Sequence, residues 1–278
     1  MKKQLTILLC LLFLWAVASE AQYKLVQKPK KTFDHKVGAL WNMITNNGYW
    51  GNTYASPNFE WPGGSGNVYG WRTSLWIGAV IDTIGYTSYG DGNHFVPLDT
   101  VQVKRRAEGS LSAEDTYTRY TDVNPPAPTG VHVNLGVEIT ERTYAWDQSY
   151  NDDFIISDYW IKNIGDDVNK DGTIDATRPL KGVYVGFRMD CDVSGFNGSN
   201  TDSNYWDLDD LAGYDAANKI VYLWDGDNPT TPENDTGNPE ALIIFAGSGS
   251  FVLSFLIALN NEPACLTSLY KRRIIPDK

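Results

Sequence analysis

Apolar and polar residues alternate along much of this chain with a period of two. Leu75, Ile77, Ala79 and Ile81 share one face of a run whose other face carries Trp76, Gly78, Val80 and Asp82. Val183, Val185, Phe187 and Met189 alternate in the same way against Tyr184, Gly186 and Arg188. Successive side chains of a strand point to opposite faces, so each run predicts a half-buried strand. Further strands are predicted at 101–103, 131–146, 154–163, 220–224 and 242–246. Residues 37–44 fit one helical turn through Val37, Leu40, Trp41 and Ile44. Gly38 and the turn Asn46-Asn47-Gly48 flank them, which favours a strand instead. Residues 61–67 (WPGGSGN) form a loop. Residues 122–130 (DVNPPAPTG) either divide two domains or cross over within one sandwich. Many strands about ten residues apart, with no long helical period, predict an all-β fold: an antiparallel β-sandwich, jelly-roll or Ig-like.

The two ends read differently from this β-region at 37–250. Residues 1–21 have the form of a secretory signal peptide. Lys2 and Lys3 precede an apolar run from Leu5 to Ala18, and Ser19 and Ala21 set a cleavage before Gln22. The run is short for a bilayer about 30 Å thick, so the mature chain is expected to have no membrane span. Residues 22–36 are Lys-rich without an apolar period and read as a flexible lead-in. Residues 251–278 contain no Gly and no Trp and end in a basic stretch. Two readings of that tail stay open: a final strand with an extension, or a truncated or out-of-frame end.

Composition narrows the function. The chain has 278 residues with 10 Trp, 16 Tyr, 10 Phe and 25 Gly, which suits a turn-rich β-protein. A net charge of −11 argues against nucleic-acid binding, which needs a basic face for phosphates. Beyond the leader only Cys191 and Cys265 remain. Two separate thiols are favoured over a bridge, because nothing in the sequence aligns them.

The sharpest local motif is DVNKDGTID at 167–175. Calcium takes six to eight oxygens at about 2.3–2.6 Å, and acids at alternate loop positions can wrap them around one ion. Asp167, Asn169 and Asp171 fill positions 1, 3 and 5, and Gly172 permits the sharp turn. Thr173 offers its carbonyl, Ile174 an apolar anchor and Asp175 a further oxygen. The loop resembles those of EF-hands, dockerin modules and thrombospondin type 3 repeats. It departs from them at position 12, which is Arg178 instead of a bidentate acid, and Pro179 follows. The missing ligand must come from elsewhere, with Asp166 or Asp158 as candidates. Without it, affinity is expected in the range of extracellular modules, about 10⁻⁴–10⁻³ M. The competing reading is a solvated Asp-Gly turn. A second acidic cluster, Asp190, Asp192, Asp209 and Asp210, lies at predicted strand ends; it could bind a second cation, but turn chemistry is the favoured reading there.

Catalytic motifs are sparse. No serine lies in a G-x-S-x-G elbow, and His35, His94 and His132 are isolated in sequence. A glycoside hydrolase with paired carboxylates stays open, because such pairs leave no sequence signature. Trp50, Trp61 and Trp71 lie beside glycine loops and are candidates for stacking on sugars. The alternative for them is packing, which uses the same residues.

The segments NNGYWGN (46–52), FEWPGGSGNVYGW (59–71), LWIGAVID (75–82), TYAWD (143–147), DDFIISDYWIKNIG (152–165), GVYVGFRMDCDV (182–193) and DDLAGYD (209–215) together resemble a group of uncharacterised exported proteins. That group is secreted by the type IX pathway of environmental bacteria, usually with a C-terminal sorting domain that has no counterpart here. The resemblance spans 37–250 and implies a large β-domain. It implies no activity. The resulting expectation is a secreted or cell-surface, non-catalytic β-sandwich with a calcium-stabilised loop and a structural or adhesive role. Its alternatives are a carbohydrate-binding module and a glycoside hydrolase. Polysaccharide or cell-surface components are the expected partners.

Overall fold

A computed structural model describes residues 23–51, 57–66, 68–196, 210–217, 220–225, 242–246 and 252–259. Fifteen strands form among them: β1 (Thr32–His35), β2 (Asn42–Thr45), β3 (Tyr49–Trp50), β4 (Val68–Ile81), β5 (Ile84–Tyr89), β6 (Val96–Pro97), β7 (Gln102–Arg105), β8 (Glu114–Thr121), β9 (Val137–Ala145), β10 (Phe154–Asn163), β11 (Lys181–Phe196), β12 (Asp210–Asp215), β13 (Ile220–Asp225), β14 (Leu242–Ala246) and β15 (Val252–Leu259). They pair antiparallel into two sheets. One runs β1-β2-β3-β4-β11, with β5 also on β4. The other runs β12-β13-β14-β15-β10-β9-β8-β6, with β7 also on β8. The chain is therefore an all-β antiparallel sandwich, as its alternation predicts. Among the described residues no helix is long and apolar enough to cross a membrane.

The inner faces meet in one core. Leu75, Ile77, Ala79 and Ile81 of β4 pack in a cluster with Val137 and Ile139 of β9 and Ile155 and Tyr159 of β10. The face of β4 picked out by the period of two is thus the buried one. Val185, Phe187 and Met189 of β11 join the same cluster, while Val183 is 48% exposed beside a register shift at the start of the strand. Trp50 meets Phe187 edge-on with ring centres 5.6 Å apart.

Three segments differ from their sequence reading. Residues 23–36, expected to be a flexible lead-in, are built into the fold. β1 pairs with β2 along its length, and Leu25 is buried with Leu98, Val123 and Ile164. A lysine-rich stretch can be ordered in this way when a few apolar residues and its backbone find partners. The strand expected over 37–44 begins only at Asn42, because residues 37–39 form a bend with Gly38 at φ 77. The strand expected over 131–146 is confined to Val137–Ala145. Residues 122–136 join β8 to β9, which are paired neighbours in one sheet, so they form a connection within that sheet.

Candidate functional site

The loop at 164–180 leaves the end of β10 in one sheet and enters β11 in the other. It is a crossover between the layers, not an excursion between adjacent strands as its sequence position suggests. An isolated bridge between Asp166 and Ala176 closes its neck. Two close backbone approaches fix that neck. Gly136 sits at φ 79, where an added Cβ would lie 2.6 Å from the Gly165 carbonyl. Gly165 itself is at φ 93 against Ala176. The far side of the loop pairs with the chain's leading segment. Leu25 N–H donates to Gly172 O at 2.7 Å, and Ile174 N–H donates to Tyr23 O at 3.0 Å. Ile174 packs on the Leu25–Leu98–Val123–Ile164 cluster, which is the anchoring role its position implies.

The side-chain oxygens of the motif turn inward onto the loop's own amides. Asp167 is 3% exposed; its Oδ1 accepts Asp171 N–H at 3.0 Å and its Oδ2 accepts Gly172 N–H at 2.9 Å. Asn169 Oδ1 accepts the same Asp171 N–H at 2.9 Å. Asp171 Oδ1 accepts Thr173 N–H at 2.8 Å. Asp175 Oδ2 accepts Val168 N–H at 2.8 Å and Asn169 N–H at 3.1 Å. Gly172 is left-handed at φ 86, and so is Lys170 at φ 61. Positive φ suits Gly172 and is uncommon for Lys. Asn124, from the β8–β9 connection, donates its Nδ2 to Asp167 Oδ2 at 3.1 Å, a partner no local motif could reveal.

The candidates for the missing ligand have other partners or lie far off. Asp166 accepts Arg178 Nη2 at 3.0 Å on one oxygen and Asn134 Nδ2 at 2.7 Å on the other. The residue that breaks the motif thus claims the acid expected to repair it. Asp158 faces Arg142 across the β10–β9 pairing, five residues from the strand end, about 17 Å away. Among the described residues no group of three or more His, Cys, Asp or Glu side chains is arranged to hold a metal ion. Asn169 and the Thr173 carbonyl are donor types outside that set.

Of the second acidic cluster, only the Asp190 side chain is described. Asp190 lies 3.0 Å from Arg188 Nη2 and 3.6 Å from Arg72 Nε. Asp192 lies on β11 and Asp210 on β12, strands of different sheets; Asp209 lies outside the described residues. Cys191 is on β11, and Cys265 lies outside the described residues.

Trp50, a candidate for sugar stacking, is fully buried instead. Its Nε1–H donates to Glu141 Oε1 at 2.6 Å, so the ring is core. Trp61 is half-buried against the same core, and Trp71 lies within β4.

Several buried carboxyls carry no motif signature in the sequence, among them Glu141, Glu114 and Asp122. Glu141 also accepts Tyr120 and Tyr159 hydroxyls at 3.0 and 3.3 Å. Burial pushes it up to about 7 despite those three donors. Glu114 Oε1 meets His35 Nδ1 at 2.6 Å, and Arg105 holds its other oxygen. A charged residue on the apolar face of VEITERTYA was the available signal, since Glu141 shares that face with Val137 and Ile139.

Two surface cavities are described. One of about 520 Å³ includes Lys104, Asp115, Tyr117, Arg142 and Tyr144 in its wall. The other, about 410 Å³, includes Arg106, Trp146, Asp147 and Tyr150, with Asp147 ion-paired to Arg106. Each carries a single carboxylate. No family model matches the chain, and neither a curated protein nor a solved structure matches it.

Proposed function

We propose that this protein is an exported, structural or adhesive β-sandwich of the type IX cargo kind, whose 166–176 crossover takes a calcium ion. One observation carries the cation reading. Side-chain oxygens of Asp167, Asn169, Asp171 and Asp175 all accept from one short run of amides, 168–173. A carboxylate oxygen retains lone pairs after accepting one N–H, so these groups can ligate without unwinding the loop. Asp167 and Asn169 already share one donor, which brings their oxygens to a common side. Thr173 would add its carbonyl. Arg178 in place of the bidentate acid, with Asp166 held by it, keeps the affinity low.

The ion would act on the architecture. The crossover joins the two sheets and also clamps residues 23–25, so fixing it stabilises both contacts. A ligand bound only by the folded state stabilises by RT ln(1 + [L]/Kd), about 2.7 kcal/mol at a hundredfold excess over Kd. The deciding experiment is calcium titration calorimetry with thermal melting in calcium and in chelator. A heat of binding and a raised midpoint, both lost in Asp171→Ala, are expected. No heat and an unchanged midpoint in wild type would overturn the cation reading.

A further inference from the structure

The outer face of the second sheet carries a polar, aromatic cavity that lies away from the calcium motif. Alternation places its residues in cross-strand rows. Gln102, Tyr117 and Arg142 stand opposite one another on β7, β8 and β9, and Lys104, Asp115 and Tyr144 form the next row. All six line the cavity of about 520 Å³. Arg142 is exposed, and its guanidinium lies 5.6 Å from the centre of the Tyr117 ring and 4.9 Å from that of Trp160. Rings on either side restrict the guanidinium and reduce the freedom it would lose on binding.

The polar groups facing this cavity are unbalanced towards donors. Asp115 is its only carboxylate, and both oxygens are engaged by the neighbouring loop. Oδ1 accepts Ser112 N–H and Ser112 Oγ–H at 2.9 and 2.6 Å, and Oδ2 accepts Leu111 N–H at 2.7 Å. Neither Lys104 nor Arg142 forms an ion pair among the described residues. Asp158 is the cross-strand neighbour of Arg142 on β10 but does not line the cavity. Burial holds the Tyr144 phenol above its ordinary value, so it stays a protonated donor. Two cations, two phenols and an amide thus surround the opening of a chain whose net charge is −11.

We propose that this cavity binds an acidic saccharide: a pyranose chain bearing uronate groups, with a carboxylate on Arg142 and Lys104 and a sugar ring against Tyr117. A planar guanidinium matches a carboxylate bidentately, and an aromatic face suits the apolar face of a pyranose. The overall negative charge repels polyanions at long range, so retention of one requires a local site of this kind.

The test is affinity electrophoresis of the full chain through gels containing polygalacturonate, hydroxyethyl cellulose or dextran sulfate, all in EDTA. The chelator keeps the result independent of the calcium reading. Retardation by polygalacturonate alone is expected. Arg142→Gln should weaken it about tenfold or more, the scale of a charge-assisted bond. Lys104→Gln, on an exposed edge strand, should weaken it severalfold and serves if the first variant misfolds. Lys181→Gln, a change of equal charge on β11, should leave it unchanged. No retardation by polygalacturonate, equal retardation by dextran sulfate, or equal loss in Lys181→Gln would each overturn the proposal.

Discussion

Glu141→Gln should remove a pH dependence that the buried carboxyl gives the whole sandwich. Glu141 lies on the inner face of β9, fully enclosed, with the uncharged Trp50, Tyr120 and Tyr159 as hydrogen-bond donors. Burial raises its folded value from 4.5 to about 7, and the three donors offset only part of that. A raised carboxyl value means the folded state binds its proton more tightly than the unfolded state. The associated stability is complete below the unfolded value of 4.5 and is lost as pH rises through about 7. Moving from about pH 5.5 to about pH 8.5 should therefore cost wild type on the order of 2 kcal/mol from this group.

Glutamine suits the same space. Its carbonyl can accept Trp50 N–H, and its amide can face Tyr120, whose hydroxyl can turn to accept. Urea unfolding of both proteins at several pH values provides the assay. The difference between them isolates Glu141 from the other titrating groups. The variant should match wild type within about 1 kcal/mol in acid, gain on it progressively from about pH 5 through about pH 7, and level off in alkali at an advantage of about 2 kcal/mol. A difference that stays constant with pH would refute the reasoning.

Asp122→Asn tests a second buried carboxyl, raised by burial, which accepts Leu135, Gly136 and Val137 N–H groups and the Ser88 hydroxyl. One oxygen cannot serve all four donors, so a loss of about 1–3 kcal/mol and faster hydrogen exchange at the Leu135 amide are expected. At Glu114, burial is outweighed by the bonds to His35 and Arg105, and its value is lowered. Its contribution is present above the ordinary 4.5 and lost as pH falls through the lowered value, so Glu114→Gln should converge with wild type in acid urea titrations. Gly165→Ala places a side chain at φ 93 against Ala176, which should cost more than about 1 kcal/mol and lower the thermal midpoint.

The legible parts of this fold were those with a local period. β4 and β11 could be read because every second residue is apolar over 75–81 and 183–189, and Ile174 because its place within a loop motif implies an anchor. β1 was not legible. Its residues TFDH have no clear alternation, and their order comes from pairing with β2 and from the His35–Glu114 contact, 79 positions apart. The same distance problem hid Asn124 beside Asp167 and the row Gln102–Tyr117–Arg142, which exists only once three strands are in register. Trp50 misled because glycines flank it in sequence. Tertiary packing places it in the core, where Glu141 supplies the acceptor its indole needs.

The polar residues inside the sandwich do work that apolar ones cannot. On the inner faces, Glu114, Thr116 and Thr118 of β8 meet Glu141 and Thr143 of β9 and Ser157 of β10, all buried. A slip of one residue would turn Arg119 and Arg142 inward and is excluded by charge. A slip of two preserves every alternation, and hydrophobicity alone barely opposes it. Glu141 opposes it, because only the observed register brings its carboxyl to Trp50, Tyr120 and Tyr159 together. Glu114 does the same through His35 of the other sheet. Glu141→Leu should therefore loosen register as well as stability. Amide spectra of that variant should show more than one set of peaks for β8 to β10, whereas Glu141→Gln should keep one. A single sharp set for the leucine variant would assign register to the turns instead.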